Sequence, residues 1–280
     1  MKAFGNNKKT GRRIRDGVLI LFAVSFMLPL YWMLFLSVKG SQQAASQPWA
    51  IPSELHFENF AAAWGRIDVP LLLRNSFVYT AGSVAVCLLV SVMAAYALTR
   101  MRMKHSGPFT TYFTLGMLIP VSVLLIPVYR LAMALGLKGT PWALILPYAA
   151  FSMSSAILML SAFFRSIPVE LEEAAALDGC SVYRTFFSIL LPMVKPALAT
   201  QGMMMFIQNW NEYALASILA MGKDMRTIPL ALNLFFGRFD LTNWGEVGAA
   251  VTITSLPAIL VFVFCNRQIE QAVTGTSGLK

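Results

Sequence analysis

Covalent chemistry has few places to reside in this chain. Two histidines and three cysteines are its only imidazole and thiol groups, and they are scattered. His56 and His105 fall on opposite sides of a long apolar run, Cys87 and Cys265 lie inside such runs, and Cys180 lies in a polar stretch between two of them. No C-x-x-C or H-E-x-x-H spacing occurs, so no metal site is expected and the cysteines read as structural. There is no G-x-S-x-G nucleophile elbow. A G-x-x-x-x-G-K-[ST] phosphate loop is also missing, and the nearest string, Gly136-Leu137-Lys138-Gly139-Thr140, has the wrong spacing. The expectation is a chain with no catalytic residue and no cofactor of its own; any ATP-driven work needs the nucleotide bound by another chain. Two polar clusters remain. One runs from Glu170 to Gly179, and the other is Gln208-Asn209-Trp210-Asn211-Glu212.

The elements that carry these clusters follow from composition. The chain has 280 residues, of which 57% are hydrophobic and only 12% charged, against about 25% charged in an ordinary soluble domain. Mean hydropathy is +0.64. A disordered protein, a coiled coil and a typical soluble enzyme are excluded. The net charge of +9 on so little polar surface argues for membrane topology rather than nucleic-acid binding. Six runs are almost free of charge: 17–38, 75–98, 106–129, 139–164, 196–222 and 247–266. Each reaches the roughly 20 residues that span a bilayer core, and backbone in lipid must satisfy its own hydrogen bonds. The predicted fold is therefore all-α, with six transmembrane helices between residues 17 and 266. A basic segment 1–16 precedes them, and a tail 267–280 comes after.

Basic residues set the orientation. The two termini and segments 99–105 and 164–196 hold 14 Lys and Arg, and the three alternate segments hold 8. Positive-inside places both termini in the cytoplasm, with Lys8, Lys9, Arg12, Arg13 and Arg15 as the anchor at anionic headgroups. The first apolar run is longer than a signal-peptide core and lacks an A-x-A site, so it reads as an uncleaved helix. In the outer segment 40–74, Phe57, Phe60 and Trp64 at helical spacing predict a short interfacial helix. Pro29, Pro120, Pro127, Pro147 and Pro257 interrupt the runs and can kink them. No internal repeat is evident.

The cytoplasmic loop 165–195 reads as a helix with both ends marked. Pro168 suits the first helical position. Glu170, Glu172 and Glu173 favour the positive end of the dipole, and Leu171, Ala174 and Ala175 form a narrow apolar face. Gly179 can take the left-handed turn that ends the helix. Ser181 can cap a second helix, which Pro192 stops. Such a helix can lie in the headgroup layer, pack on the chain's own spans, or dock on a soluble partner. Its carboxylates would be repelled by anionic lipid, and its alanines allow close approach, which favours docking.

At this point a family becomes visible. Glu173-Ala174-Ala175, three residues, Gly179, nine residues, then Ile189-Leu190-Leu191-Pro192 reproduces the EAA loop of bacterial ABC importer permeases. Carbohydrate permeases of the maltose-permease type are resembled further by Asn75-Ser76, by 94–100 (Ala-Ala-Tyr-Ala-Leu-Thr-Arg), and by Leu135-Gly136-Leu137. The same is true of Ile167-Pro168, Asp178-Gly179, Trp210-Asn211-Glu212-Tyr213 and Trp244-Gly245. The resemblance covers roughly residues 15 to 270. It implies a type I ABC importer permease fold in a multi-pass protein of the bacterial inner membrane, moving a sugar or oligosaccharide by alternating access. It implies a second related permease subunit, two ATPase subunits that bind ATP and Mg, and an extracytoplasmic solute-binding protein. It assigns Leu171, Glu172, Glu173, Ala174, Ala175, Asp178 and Gly179 to the ATPase-coupling interface. The tail departs from the subgroup's Gly-rich ending, so a tail contact with the ATPase pair is not carried over.

The second cluster has two readings. Glu212 is the only formal charge within an apolar run, and an ionisable group at depth usually faces a cavity or a partner. Gln208, Asn211 and Glu212 fall on one helical face, and with Asn209 and Trp210 they can line a translocation path. Alternatively these groups bond to neighbouring helices, or the run is broken there. Met203-Met204-Met205 reads as packing. Two alternatives to the function also stand: an importer permease for an amino acid, polyamine or phosphate, which shares the loop, and a self-sufficient secondary carrier. The carrier would need coupling-ion sites and commonly shows inverted repeats.

Overall fold

A computed structural model describes residues 3–101, 103–236 and 242–275, with side chains described from 15 to 261 (apart from 102 and 237–241) and at 263. The all-α expectation holds: no strand occurs among the described residues. In chain order the α-helices are α1 (Ala3–Ser37), α2 (Ser41–Ser46), α3 (Glu58–Arg66), α4 (Val69–Arg100), α5 (Ser106–Gly116), α6 (Val121–Ala134) and α7 (Trp142–Ser166). They continue with α8 (Glu170–Leu177), α9 (Val182–Thr185), α10 (Leu191–Met193), α11 (Lys195–Trp210), α12 (Ala214–Leu219), α13 (Ile228–Leu232) and α14 (Trp244–Gly275). Four stretches are each long and apolar enough to cross a bilayer: Arg15–Ser37, Val69–Arg100, Trp142–Ser166 and Trp244–Val261. Two bent pairs bring the number to six if each is one span. The chain divides into two compact units, residues 1–68 with 232–256 and residues 69–231 with 257–280.

In the first unit residues 17–31 of α1 are exposed all round, with apolar side chains such as Leu21, Phe26 and Met27. Lipid is the solvent that tolerates such a surface. The carbonyl end of α1 is closed by a side chain of α3. Asn59 Nδ2 donates to the carbonyls of Ser37 (3.0 Å) and Lys39 (2.9 Å), which satisfies groups a helix end leaves open. Lys39 is fully buried, and its ammonium donates to the carbonyls of Gln47 (3.0 Å) and Pro48 (2.8 Å). Burial lowers its pKa below the ordinary lysine value. The short outer helix foreseen from Phe57, Phe60 and Trp64 is α3. Its inward positions are Asn59 and Ala63, while Phe57 and Trp64 stay exposed. Gly248 permits a close crossing: a Cβ there would lie 2.7 Å from the backbone nitrogen of Ser37. Arg66 ties α3 to the start of α14 through Glu246 at 3.0 Å.

In the second unit α4 and α7 form the central pair, and α11 packs on both. Small residues allow the approach. Ser83, Cys87, Ser91 and Ala95 of α4 are buried, as are Ala149 and Ala156 of α7, with Met205 of α11 filling between. A Cβ on Gly82 would sit 2.9 Å from Ile145 Cδ1, so the helices meet closely there.

Several local expectations are corrected here. The run 106–129 is two helices, α5 and α6, bent by 102° at residues 117–120. Pro120 has extended backbone (φ −65°, ψ 135°), lacks an N–H and disfavours helix in the residue before it. Pro29, Pro127, Pro147 and Pro257 lie inside helices that continue past them. The run 196–222 is also divided: α11 ends at Trp210, and α12 begins at Ala214. Pro168 precedes α8 instead of occupying its first position, which comes after the N-cap Val169. Pro192 does not stop its helix. The turn before it widens into a π-helix, Phe186–Leu190, in which the N–H of Leu191 bonds to the carbonyl of Phe186. The missing N–H of Pro192 is accommodated by that wider turn. The real change of direction comes at Val194, where the pair Val182–Met193 and Lys195–Trp210 is bent by 66°.

Candidate functional site: a short exposed helix and a capped break in an apolar run

The helix α8 is fixed at both ends by backbone geometry that its sequence dictates. Val169 supplies its carbonyl to the N–H groups of Glu172 (2.9 Å) and Glu173 (3.1 Å). At the other end Gly179 takes φ +75°, the left-handed region where a side chain would be strained. The N–H of Cys180 then reaches the carbonyl of Ala175 (2.9 Å), and that of Gly179 reaches Ala176 (3.0 Å). This paired closure satisfies carbonyls the helix would leave open. The chain turns directly into α9, whose N-cap Ser181 accepts from the N–H of Arg184 as foreseen.

Within α8 the predicted residues do not share one surface. Glu173, Ala174, Asp178 and Gly179 are exposed, and Leu171 is largely so. Ala175 is buried, and Glu172 turns inward to the guanidinium of Arg100 at 3.1 Å. The narrow apolar face of Leu171, Ala174 and Ala175 is therefore split between outside and inside. The exposed apolar surface comes instead from residues that helical spacing within α8 did not single out. Leu177 is 90% exposed and Tyr183 79%, with Val169, Val182 and Phe187 also open. The available signal was large apolar residues in a stretch too charged to be a span.

The second cluster lies at a helix end. Asn209 Nδ2 donates to Ser83 Oγ at 2.8 Å, and Trp210 is buried with its ring stacked on Phe206 (5.5 Å, 19°). Asn211 Nδ2 donates to the carbonyl of Ile207 at 2.8 Å, closing the last turn of α11. Glu212 sits in the break between α11 and α12. Its carboxylate accepts from the N–H groups of Leu215 (2.7 Å) and Ala216 (3.0 Å) and from the hydroxyl of Tyr148 (2.8 Å). It thus caps α12 and ties that helix to α7. The predicted single face of Gln208, Asn211 and Glu212 is not formed, because the helix stops at Trp210. Gln208 and Asn211 remain exposed. A separate cavity of about 690 Å³, in the bend between α5, α6 and α7, is lined mainly by apolar residues such as Tyr112, Leu131 and Phe151, and includes none of the five.

Other residues of the sequence resemblance acquire structural roles. Asn75 Nδ2 donates to the carbonyls of Asp224 (2.7 Å) and Arg226 (3.1 Å), and Ser76 Oγ accepts from the N–H of Ile228 (2.9 Å). Together they hold the segment before α13. Gly136, at φ +68°, closes α6 in the same manner as Gly179 closes α8. No group of three or more metal-ligating residues occurs among the described residues.

An all-α chain with several helices long and apolar enough to cross a bilayer, and a short exposed helix between them, has the architecture of a membrane protein. The family described as binding-protein-dependent transport system inner membrane component matches residues 87–275, and the chain belongs to it. It is 36% identical to the probable ABC transporter permease protein YurM of Bacillus subtilis, over 92% of this chain and 86% of that one. It is 32% identical to the sulfoquinovosyl glycerol transport system permease protein SmoH of Agrobacterium fabrum, over 97% and 95%. Among solved structures, a chain of a bacterial ABC transporter that imports the polysaccharide alginate superposes with a TM-score of 0.78 at 23% identity, covering 93% of this chain and 97% of that one. The expected permease fold of type I ABC importers is the fold found.

Proposed function

We propose that this permease subunit admits a sugar or oligosaccharide, delivered by an extracytoplasmic binding protein, and that α8 to α9 receives the motion of an ATPase subunit. One observation carries the coupling half. The most exposed apolar side chains on α8 and α9, Leu177 and Tyr183, stand on either side of the tight turn at Gly179 and Ser181 that joins the two helices. The sugar half rests on relatives. Beside the sulfoquinovosyl glycerol permease, the melibiose/raffinose/stachyose import permease MelC of Bacillus subtilis is 30% identical over 88% of this chain. Two ATPase subunits holding ATP and Mg, and a second permease chain, complete the assembly in this reading. The bent pairs count as spans, both termini lie in the cytoplasm, and α8 faces the ATPase. Gln208 and Asn211 are then the members of the second cluster left free to touch a passing solute, while Asn209, Trp210 and Glu212 hold the helices around it. A non-sugar solute has less support, and a self-sufficient carrier has less still.

The test is a mild-detergent pull-down from native membranes, and then uptake of labelled glycosides into vesicles that contain the recovered complex. Recovery of an ATPase and a second permease, with glycoside uptake abolished by Glu173→Lys in a chain still present in the membrane, is the expected result. Uptake by this chain alone, without ATPase, would overturn the proposal.

A further inference from the structure

We infer that Arg100 is the positioning residue through which displacement of α8 is handed to the membrane helices; this rests on the reading of α8 as the coupling element. Arg100 is the last residue of α4. Its side chain is 6% exposed. Its guanidinium donates to the carbonyls of Phe164 and Ile167, at the C-terminal end of α7 and in the connection to α8. The same group meets the carboxylate of Glu172 on α8 at 3.1 Å. One planar cation therefore joins three elements: the end of α4, the end of α7 and the first turn of α8. Arginine suits the task because its fork of donors can serve carbonyls and a carboxylate together; the single ammonium of lysine cannot span them.

The geometry gives the junction a direction. Two of its contacts are to backbone, so they move with α7 and the connection as rigid parts. The third is to a side chain on the moving helix. Glu172 is the one carboxylate of α8 turned inward, while Glu173 faces out. A displacement of α8 therefore carries the carboxylate that Arg100 holds. Below the junction, Tyr96, Phe164 and Phe186 form an aromatic contact set linking α4, α7 and the π-helical turn (Tyr96 to Phe186 4.7 Å, Tyr96 to Phe164 5.8 Å). The junction also has spare bonding capacity: Arg100 Nε has no partner, and Glu172 Oε1, although in ion-pair range, lacks an aligned hydrogen bond. A buried pair with unused donors can re-pair during a movement without first exposing a charge.

The experiment measures hydrogen exchange on the full chain in lipid nanodiscs, together with solute moved per ATP hydrolysed in the assembled transporter. Glu172→Gln and Arg100→Met are both expected to raise exchange of residues 170–177 by roughly tenfold or more, as breaking a buried ion pair implies. Exchange in the middle of α4 and α7 should stay as in the wild type. Transport per ATP should fall in both variants, and Arg100→Lys should recover part of each effect. Should Arg100→Met fail to fold, Glu172→Gln still decides, because it leaves the bonds to Phe164 and Ile167 in place. Unchanged exchange in α8, or a rise spread equally through α4 and α7, would overturn the inference and leave Arg100 a general packing residue. A wild-type chain that recruits no ATPase would instead overturn the coupling reading, and the exchange arm would still judge the three-way junction.

Discussion

Glu212 offers the sharpest test of whether the polar cluster in the apolar run is built for the fold or for the solute. Its carboxylate is the acceptor for two N–H groups of α12 and for the hydroxyl of Tyr148, which is 2% exposed. Removing it by Glu212→Ala deletes a helix cap, worth about 1 kcal/mol. It also leaves a buried hydroxyl without its partner, which costs about 1–3 kcal/mol. The expected loss is about 2–4 kcal/mol, or roughly 4–15 °C in unfolding temperature on the scale of soluble domains. Glu212→Gln keeps one acceptor oxygen and should lose about half as much. The partner gives a second handle. Tyr148→Phe should cost about 1 kcal/mol in the wild type, yet recover about as much when added to Glu212→Ala, because no orphaned hydroxyl then remains. The assay is tryptophan-fluorescence unfolding of the purified chain in one detergent, with the four proteins compared as a cycle. An unfolding temperature unmoved by Glu212→Ala, in a protein that no longer transports, would refute the structural account and return Glu212 to the solute path.

The α8–α9 element yields two further outcomes. Gly179→Ala should cost about 1–2 kcal/mol through backbone strain alone, since φ is +75° and a Cβ there would meet no atom within 4 Å; Gly179→Asn should cost less, and hydrogen exchange across residues 170–185 reads the difference. Leu177→Asp should shift the unfolding temperature of the isolated chain by no more than the equivalent of about 0.5 kcal/mol, yet weaken recovery of the ATPase in the pull-down by roughly tenfold or more; equal recovery would remove Leu177 from the contact.

Legibility in the sequence tracked how local the physics is. The all-α fold and its apolar helices were readable because bilayer thickness and backbone bonding leave few alternatives. The ends of α8 were readable because Gly179 and Ser181 act within one turn of themselves. The break at Pro120 was half readable. Of Pro29, Pro120, Pro127, Pro147 and Pro257, the one that parts two helices differs from the rest by context that the sequence does not display. The end of α11 at Trp210 was left open for a related reason. Gln208, Asn209, Asn211 and Glu212 each carry groups that compete with helix bonding. Only the neighbours decide which of them win, and those neighbours, Ser83 and Tyr148, are 126 and 64 residues away in sequence.

The same distinction explains why family motifs and function did not coincide residue by residue. A motif records which residue types stand at fixed spacing, not which way each one points. In α8 the spacing grouped Glu172 with Glu173 and Ala174 with Ala175, but a helix turns about 100° per residue, so neighbours in a motif face different partners. Glu173 and Ala174 look out, whereas Glu172 and Ala175 look in. In the proposed reading, α8 must bind a second protein and also move its own helices, which needs both kinds of residue within two turns. On that reading α8 is better understood as a two-sided plate than as a single interface. Its exposed side includes Leu177, and Tyr183 follows on α9, neither one of the motif's fixed positions; its inner side is completed by Arg100, far from Glu172 in sequence. That pairing is also why a substitution at Glu172 should uncouple the transporter without abolishing its assembly, while one at Leu177 should do the reverse.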